Sequence, residues 1–384
     1  MSAGADFLAC PICFEAVAGE GDDLICAAHG VVGRVVHGVP DFLIDEGSLG
    51  IAAGGSFDLG EDARIAAVLA GAEQQLDYKD LRAMAEEQSM PGTITGEQKK
   101  SRIAEAASRR YERRYHAVEA EVSVRAGEAD LNKAGAYLAE VGGPPLSGGL
   151  AVEAGGGHGL HLPAFAQRFD QVVMVDCSLN LLILARKLCS ELGYSNVHFV
   201  RGNVERMPIR SGAAHFVHSN GVIEHAESPG AMTADADRLL EPGGVYVCVS
   251  PNRYPVTPEP HFAIPLFGIF PERLRTKVLL PLARGVDDEA GTDLLSLRDM
   301  RQRMAIVGDR RDVFFMPPRL TTTVRTTPAR NALINLMASR PGRAFVLFMA
   351  NRVFLPIAPY HMGVAIRDPA PPPVTPAPAQ AAAS

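Results

Sequence analysis

The chain has 384 residues, 47% of them hydrophobic and 21% charged, enough apolar material to bury a large core in two or three compact units. A formal net charge of −7 and a pI near 5.9 argue against broad electrostatic capture of nucleic acid, which needs a basic face. No run reaches the roughly 18 to 20 apolar residues that cross a bilayer, and the start lacks the basic-then-apolar pattern of a secretory leader, so a cytoplasmic protein is expected.

Residues 1–45 are rich in Gly and Cys with short β-like runs, and too few to build a core alone. Their cysteines are spaced C-x2-C, twelve residues, then C-x2-H. Thiolates from Cys10, Cys13 and Cys26 with the imidazole of His29 make two chelating pairs on tight turns, the donor set of a closed, structural Zn²⁺ site. Cys177, Cys189 and Cys248 stand alone in apolar surroundings, which fits a reducing compartment rather than a disulfide scaffold.

Residues 46–145 change texture to Ala, Glu, Arg and Lys, and "EQKKSRIAEAASRRYERRYHAVEAEV" (97–122) carries charges of both signs at helical spacing. The breaker "VGGPPLSGG" ends this helical region. Between 146 and 367 short apolar runs alternate with amphipathic stretches: LAVEA, QVVMVD, a helix from Ser178 to Leu192, VHFV, HFVHS, a helix from about Pro229 to Leu240, then GVYVCVS. Strand and helix in alternation predict a parallel sheet covered on both faces. Interruptions at about 255–295 and 318–357 flank a helix over 297–307 and a strand at DVFFM; "YHMGVAIRD" predicts a closing strand. The Pro/Ala tail, 368–384, has the low complexity of a disordered segment.

The stretch "VEAGGGHG" (152–159) follows the first strand of this alternation. Glycines there let the backbone turn tightly and let a ligand approach main-chain atoms. Counting from Gly155, the sixth position of the dinucleotide fingerprint is Leu160, and no Gly-Lys-Ser/Thr follows, so neither NAD or FAD nor a nucleoside triphosphate is indicated. An acidic residue, Asp176, ends the next strand 23 positions after Glu153, which suits a ligand with a ribose and no pyrophosphate.

Over about 148–251 the sequence resembles the class I S-adenosylmethionine-dependent methyltransferases of the type 11 group. Glu153, Gly155, Gly157 and Gly159 match that family's first motif, and Gly156 lies within it. Asp176, followed by Cys177, stands at its ribose-binding acid. "GNVERMP" matches the third motif, with Asn203 in place of the usual Asp and Val204 beside it. "HFVHSNGVIEH", containing Asn220, matches the fourth strand and its Glu-His ending, although His215 stands where Asp is typical. "RLLEPGG" is similar to the turn into the fifth strand. The resemblance implies an α/β, doubly wound, mostly parallel seven-stranded Rossmann-like sheet, with S-adenosyl-L-methionine held by these residues. The stretch from Cys10 to "HGVPDFL" resembles the zinc ribbon preceding some bacterial rRNA guanine methyltransferases and small-molecule methyltransferases.

Methyl transfer is an in-line displacement governed by positioning, and a general base helps where the acceptor is a hydroxyl or a weakly acidic carbon. His225, Glu224 and His261 are the candidates; each also has an ordinary structural reading as a loop anchor or cap. "FAIPLFGIFP" and "AFVLFMANRVFLPIAP" either fold back as core or cover an apolar, lipid-linked acceptor, with which peripheral membrane contact is compatible. Two other functions stay open: a base methyltransferase for rRNA or tRNA, and a cofactor-binding partner without turnover.

Overall fold

Apolar runs bounded by glycine or proline turns become strands, and the runs with 3.6-residue periodicity become the helices that cover them. The computed structural model describes residues 6–43, 59–89, 120–255, 267–274, 294–316, 355–358 and 360–368. His261, residues 97–119 of the expected helix, most of both interruptions and the tail beyond Asp368 lie outside the described residues.

Four short strands come first: β1 (Val17–Glu20), β2 (Asp23–Cys26), β3 (Gly30–Val36) and β4 (Val39–Asp41). Helices α1 (Leu59–Ala72), α2 (Tyr78–Ser89) and α3 (Ala120–Val141) follow. The alternating region then gives β5 (Leu150–Ala154), α4 (Leu162–Ala166), β6 (Gln171–Asp176), α5 (Leu179–Glu191), β7 (Val197–Arg201), β8 (Ala214–Asn220), α6 (Pro229–Leu239), β9 (Leu240–Pro251), α7 (Leu297–Val307), β10 (Arg311–Met316) and β11 (Tyr360–Ile366). Among the described residues no helix is long and apolar enough to cross a membrane.

Strands β7-β6-β5-β8-β9 are parallel, and β11 and β10 complete that edge in antiparallel pairing. These are the seven strands expected from the sequence. The cysteine-rich module does not stand apart as a separate unit: β4 pairs parallel to β7 at Asp41 and Arg201, making one eleven-stranded sheet ordered β1-β2-β3-β4-β7-β6-β5-β8-β9-β11-β10. The reason is its small size. Phe7, Leu8, Leu24, Val32 and Phe42 bury their apolar surface in a cluster that also contains Val200, Met207 and Ile209.

Successive residues of β6 point to opposite faces, so Val172 and Met174 join one core cluster and Val173 and Val175 the other. On the first face α5 buries Leu179, Leu182, Ile183, Leu184 and Leu188, and a Leu182→Ala change there would cost about 2–5 kcal/mol. Ser178 starts this helix as expected, its hydroxyl accepting the Leu181 N–H. The strand order reverses at β5, whose neighbours are β6 and β8. Open α/β sheets bind ligands at the carboxyl ends of strands at such a switch point.

Candidate functional site

The loop leaving β5 owes its path to glycine. Gly155, Gly157 and Gly159 all have left-handed backbone, with φ of +71°, +54° and +73°. A Cβ on Gly155 would lie 2.5 Å from Val222 Cγ1, and one on Gly159 2.7 Å from Ala185 Cβ, so these two are required by packing against the β8 loop and α5. Gly157 differs: among the described residues nothing lies within 4 Å of the place its Cβ would take. At the end of β6 the buried Asp176 carboxylate accepts the Gly157 N–H with Oδ2 and the Ser178 N–H with Oδ1, both at 2.9 Å. Burial pushes this carboxyl above its ordinary range, and the two N–H donors oppose the shift.

The neighbouring strand ends supply the rest of the rim. Gly202 N–H donates to the Asp176 carbonyl at 3.0 Å, which joins the turns after β6 and β7. Asn203 Oδ1 accepts the Glu205 N–H at 2.8 Å; Asn203, Val204 and Cys177 are each half-buried, and burial pushes the Cys177 thiol up. Asn220, at the end of β8, donates its Nδ2 to Asp130 Oδ2 at 2.9 Å.

Glu153 lies beneath the loop rather than on its open side. It is 1% exposed, and its two oxygens are taken by His161 Nδ1 at 3.0 Å and His218 Nδ1 at 2.6 Å. His218 reaches the opposite way to Asp130 Oδ2 on α3, with Nε2 at 3.3 Å. Burial alone would drive His218 toward its neutral form, but the carboxylates of Glu153 and Asp130 outweigh it and push the imidazole up to about 10. For Glu153 burial is likewise opposed by the two imidazoles, which hold its carboxyl below the usual range. Asp130, His161 and His218 escaped the sequence reading; the one signal was a histidine inside the otherwise apolar run HFVHS.

The candidate bases separate. His225 is exposed in a short turn after β8, where its N–H donates to the Val222 carbonyl at 2.9 Å. Glu224 is completely buried and accepts the Ser250 hydroxyl at 3.2 Å. His261 lies outside the described residues. The atypical His215 sits at the far end of β8, held by Glu241 at 2.8 Å and the Pro145 carbonyl at 2.9 Å, away from the ligand edge.

In the cysteine-rich module the four expected donor atoms converge, all within 4.8 Å of one another. Cys13 Sγ and Cys26 Sγ are 3.6 Å apart, and His29 Nδ1 is 3.7 Å from Cys10 Sγ and 3.5 Å from Cys26 Sγ. No disulfide joins them. Tetrahedral zinc, with bonds of about 2.3 Å to sulfur and 2.0–2.1 Å to nitrogen, would separate such atoms by roughly 3.5–3.8 Å. The donor set therefore fits that ion. The Ile12 N–H points at Cys10 Sγ (3.3 Å), and the left-handed Phe14 and Gly30 close the two turns after the ligand pairs.

Residues 152–248 match the family model described as "Methyltransferase domain". Two uncharacterized chloroplastic methyltransferases of Arabidopsis thaliana are similar to this chain: one is 30% identical over 133 residues, covering 32% of this chain and 35% of the relative, and the other 34% identical over 122 residues, covering 29% and 34%. The chain thus spans about a third of the length of the curated relatives it matches. The YcgJ protein of Bacillus subtilis aligns structurally over 62% of this chain and 98% of its own, with 16% identity and a TM-score of 0.38. The segment similar to that domain runs from β5 through most of β9, the parallel strands of this α/β sheet.

Proposed function

We propose that the chain is an S-adenosyl-L-methionine-dependent methyltransferase acting on a small-molecule, glycan or lipid-like acceptor. The observation that carries this reading is Gly157: left-handed, open on its ligand side, and bonded through its N–H to the strand-end carboxylate of Asp176. Gly155, Gly156 and Gly159 shape the loop. Asp176 takes the ribose hydroxyls, and Asn203 accepts from the adenine amino group with Cys177 and Val204 flanking the purine. Asn220 stands at the methionine end, and Glu153 acts from beneath by fixing His161 and His218. When bound, the cofactor supplies an electrophilic methyl on a sulfonium. These residues would hold the cofactor with its methyl carbon open to in-line attack by an acceptor atom, whose proton would pass to a base. Exposed His225 is placed for that role at the carboxyl edge.

Cys10, Cys13, Cys26 and His29 would hold a structural Zn²⁺ with no open coordination position, so the metal serves the module's folding rather than the reaction. Six unpaired cysteines fit a reducing compartment such as the cytoplasm.

Incubation with methyl-labelled cofactor and a cell extract tests the acceptor class. Label in organic-soluble or glycan material is expected. Label in nuclease-sensitive material would move the enzyme to RNA bases, and no label at all would leave a binding partner without turnover.

A further inference from the structure

The last residue of β7, Arg201, is 4% exposed, and all three edges of its guanidinium are in use. Nη1 donates to Asp41 Oδ2 on β4 at 3.1 Å, Nη2 to Asp62 Oδ2 on α1 at 2.8 Å, and Nε to the Cys177 carbonyl at 2.8 Å. Three segments of the chain meet on one planar cation: the cysteine-rich module, helix α1, and the turn that follows Asp176.

The two aspartates extend the clasp. Asp41 Oδ1 accepts the Leu43 N–H at 2.8 Å. Asp62 caps α5 from another helix: Oδ1 accepts the Ser178 hydroxyl at 2.8 Å and Asn180 Nδ2 at 2.7 Å, and Oδ2 accepts the Leu179 N–H at 2.9 Å. Residues 177–180 are therefore gripped on the carbonyl side by Arg201 and on the amide side by Asp62. The same turn donates the Ser178 N–H that orients the Asp176 carboxylate. Asp41, Asp62 and Asp176 are all buried, and Arg201 is the cation bonded to the first two. Lysine would keep the charge but not the planar fork that reaches three acceptors at once.

We propose that Arg201 is a positioning residue for the ribose-binding turn, holding Asp176 in register with the sugar and thereby making the cysteine-rich module and helix α1 working parts of the cofactor site. The inference rests on the S-adenosylmethionine reading. It implies a coupling absent from residues 152–248 taken alone, because Asp41 and Asp62 both lie outside that segment.

The test compares calorimetric binding of S-adenosylhomocysteine and its 2′,3′-dideoxy analogue to the full chain, its Arg201→Lys variant and its Asp41→Asn variant. The natural chain should prefer the ribose ligand by about tenfold or more, the value of the diol's hydrogen bonds. Arg201→Lys should lose about tenfold for that ligand and little for the analogue, so that the preference collapses; Asp41→Asn should move it the same way by a smaller factor. A merely structural arginine would weaken both ligands equally, and an unchanged preference in the folded variants overturns the proposal. If Arg201→Lys does not fold, the Asp41→Asn comparison decides. A natural chain that binds neither ligand removes the cofactor reading itself, an outcome distinct from a preserved preference.

Discussion

Asp176 and Gly157 are bonded to each other across two neighbouring βα turns, carboxylate Oδ2 to backbone N–H at 2.9 Å. The acid that ends β6 thus braces the glycine loop that ends β5, with open space beside the glycine. Removing the acid should both unpair a ribose diol and slacken the loop. Asp176→Ala is expected to weaken S-adenosylhomocysteine binding by about 1–3 kcal/mol, measured by calorimetry. Unchanged affinity would sink the ribose assignment.

Gly157→Val should impair ligand binding more than Asp176→Ala does, because its β-carbon and methyls occupy the open side while its left-handed backbone adds a strain of about 1–2 kcal/mol. Gly155→Ala should instead damage the fold, since its Cβ meets Val222 at 2.5 Å. Thermal melts with and without ligand separate the two effects: the Gly155 variant lowers the baseline transition, and the Gly157 variant chiefly loses the ligand-induced rise.

His218 predicts a pH dependence of stability. Its folded pKa, about 10, lies above the unfolded value of about 6.5, so its contribution is complete below pH 6.5 and is lost as pH rises through 10. Glu153 and Asp130 are the carboxylates that face it, with His161 alongside. His218→Ala should cost about 3–5 kcal/mol at pH 7 by leaving two carboxylates without their bridging cation, and should flatten the fall in melting temperature between pH 7 and 10. Equal slopes in the two proteins would refute the bridge.

The cysteine-rich module should carry tightly held zinc, detectable by elemental analysis of the purified chain. Cys26→Ser should strip most of it, because Cys26 Sγ is 3.6 Å from Cys13 Sγ and 3.5 Å from His29 Nδ1 at the centre of the donor set. Chelation should also lower the melting temperature of the whole chain, since the module's apolar residues share a core cluster with Val200 and Met207. A full complement of metal in the serine variant would count against this ligand set.

His225→Ala should slow turnover without loosening the cofactor, as the side chain is exposed in the turn after β8. Steady-state kinetics read this as a fall in kcat at constant ligand affinity. Normal turnover would place the base elsewhere or show that the acceptor needs none.

Local sequence decided a good deal here. The period-two and period-3.6 patterns between 146 and 251 fix which runs become β5 to β9 and which become the helices over them, because amphipathicity is a property of neighbours in the chain. The turn at Gly155, Gly156, Gly157 and Gly159, the strand-end acid Asp176 and the clustering of Cys10, Cys13, Cys26 and His29 were legible for the same reason, since short spacings dictate turn geometry. What required tertiary structure was every contact whose partners are distant in sequence. Asp62 capping α5, Asp130 bridging His218 and Asn220, and Arg201 joining three segments depend on which helix packs against which strand end. That packing is chosen by burial summed over the whole chain, and no short window contains it.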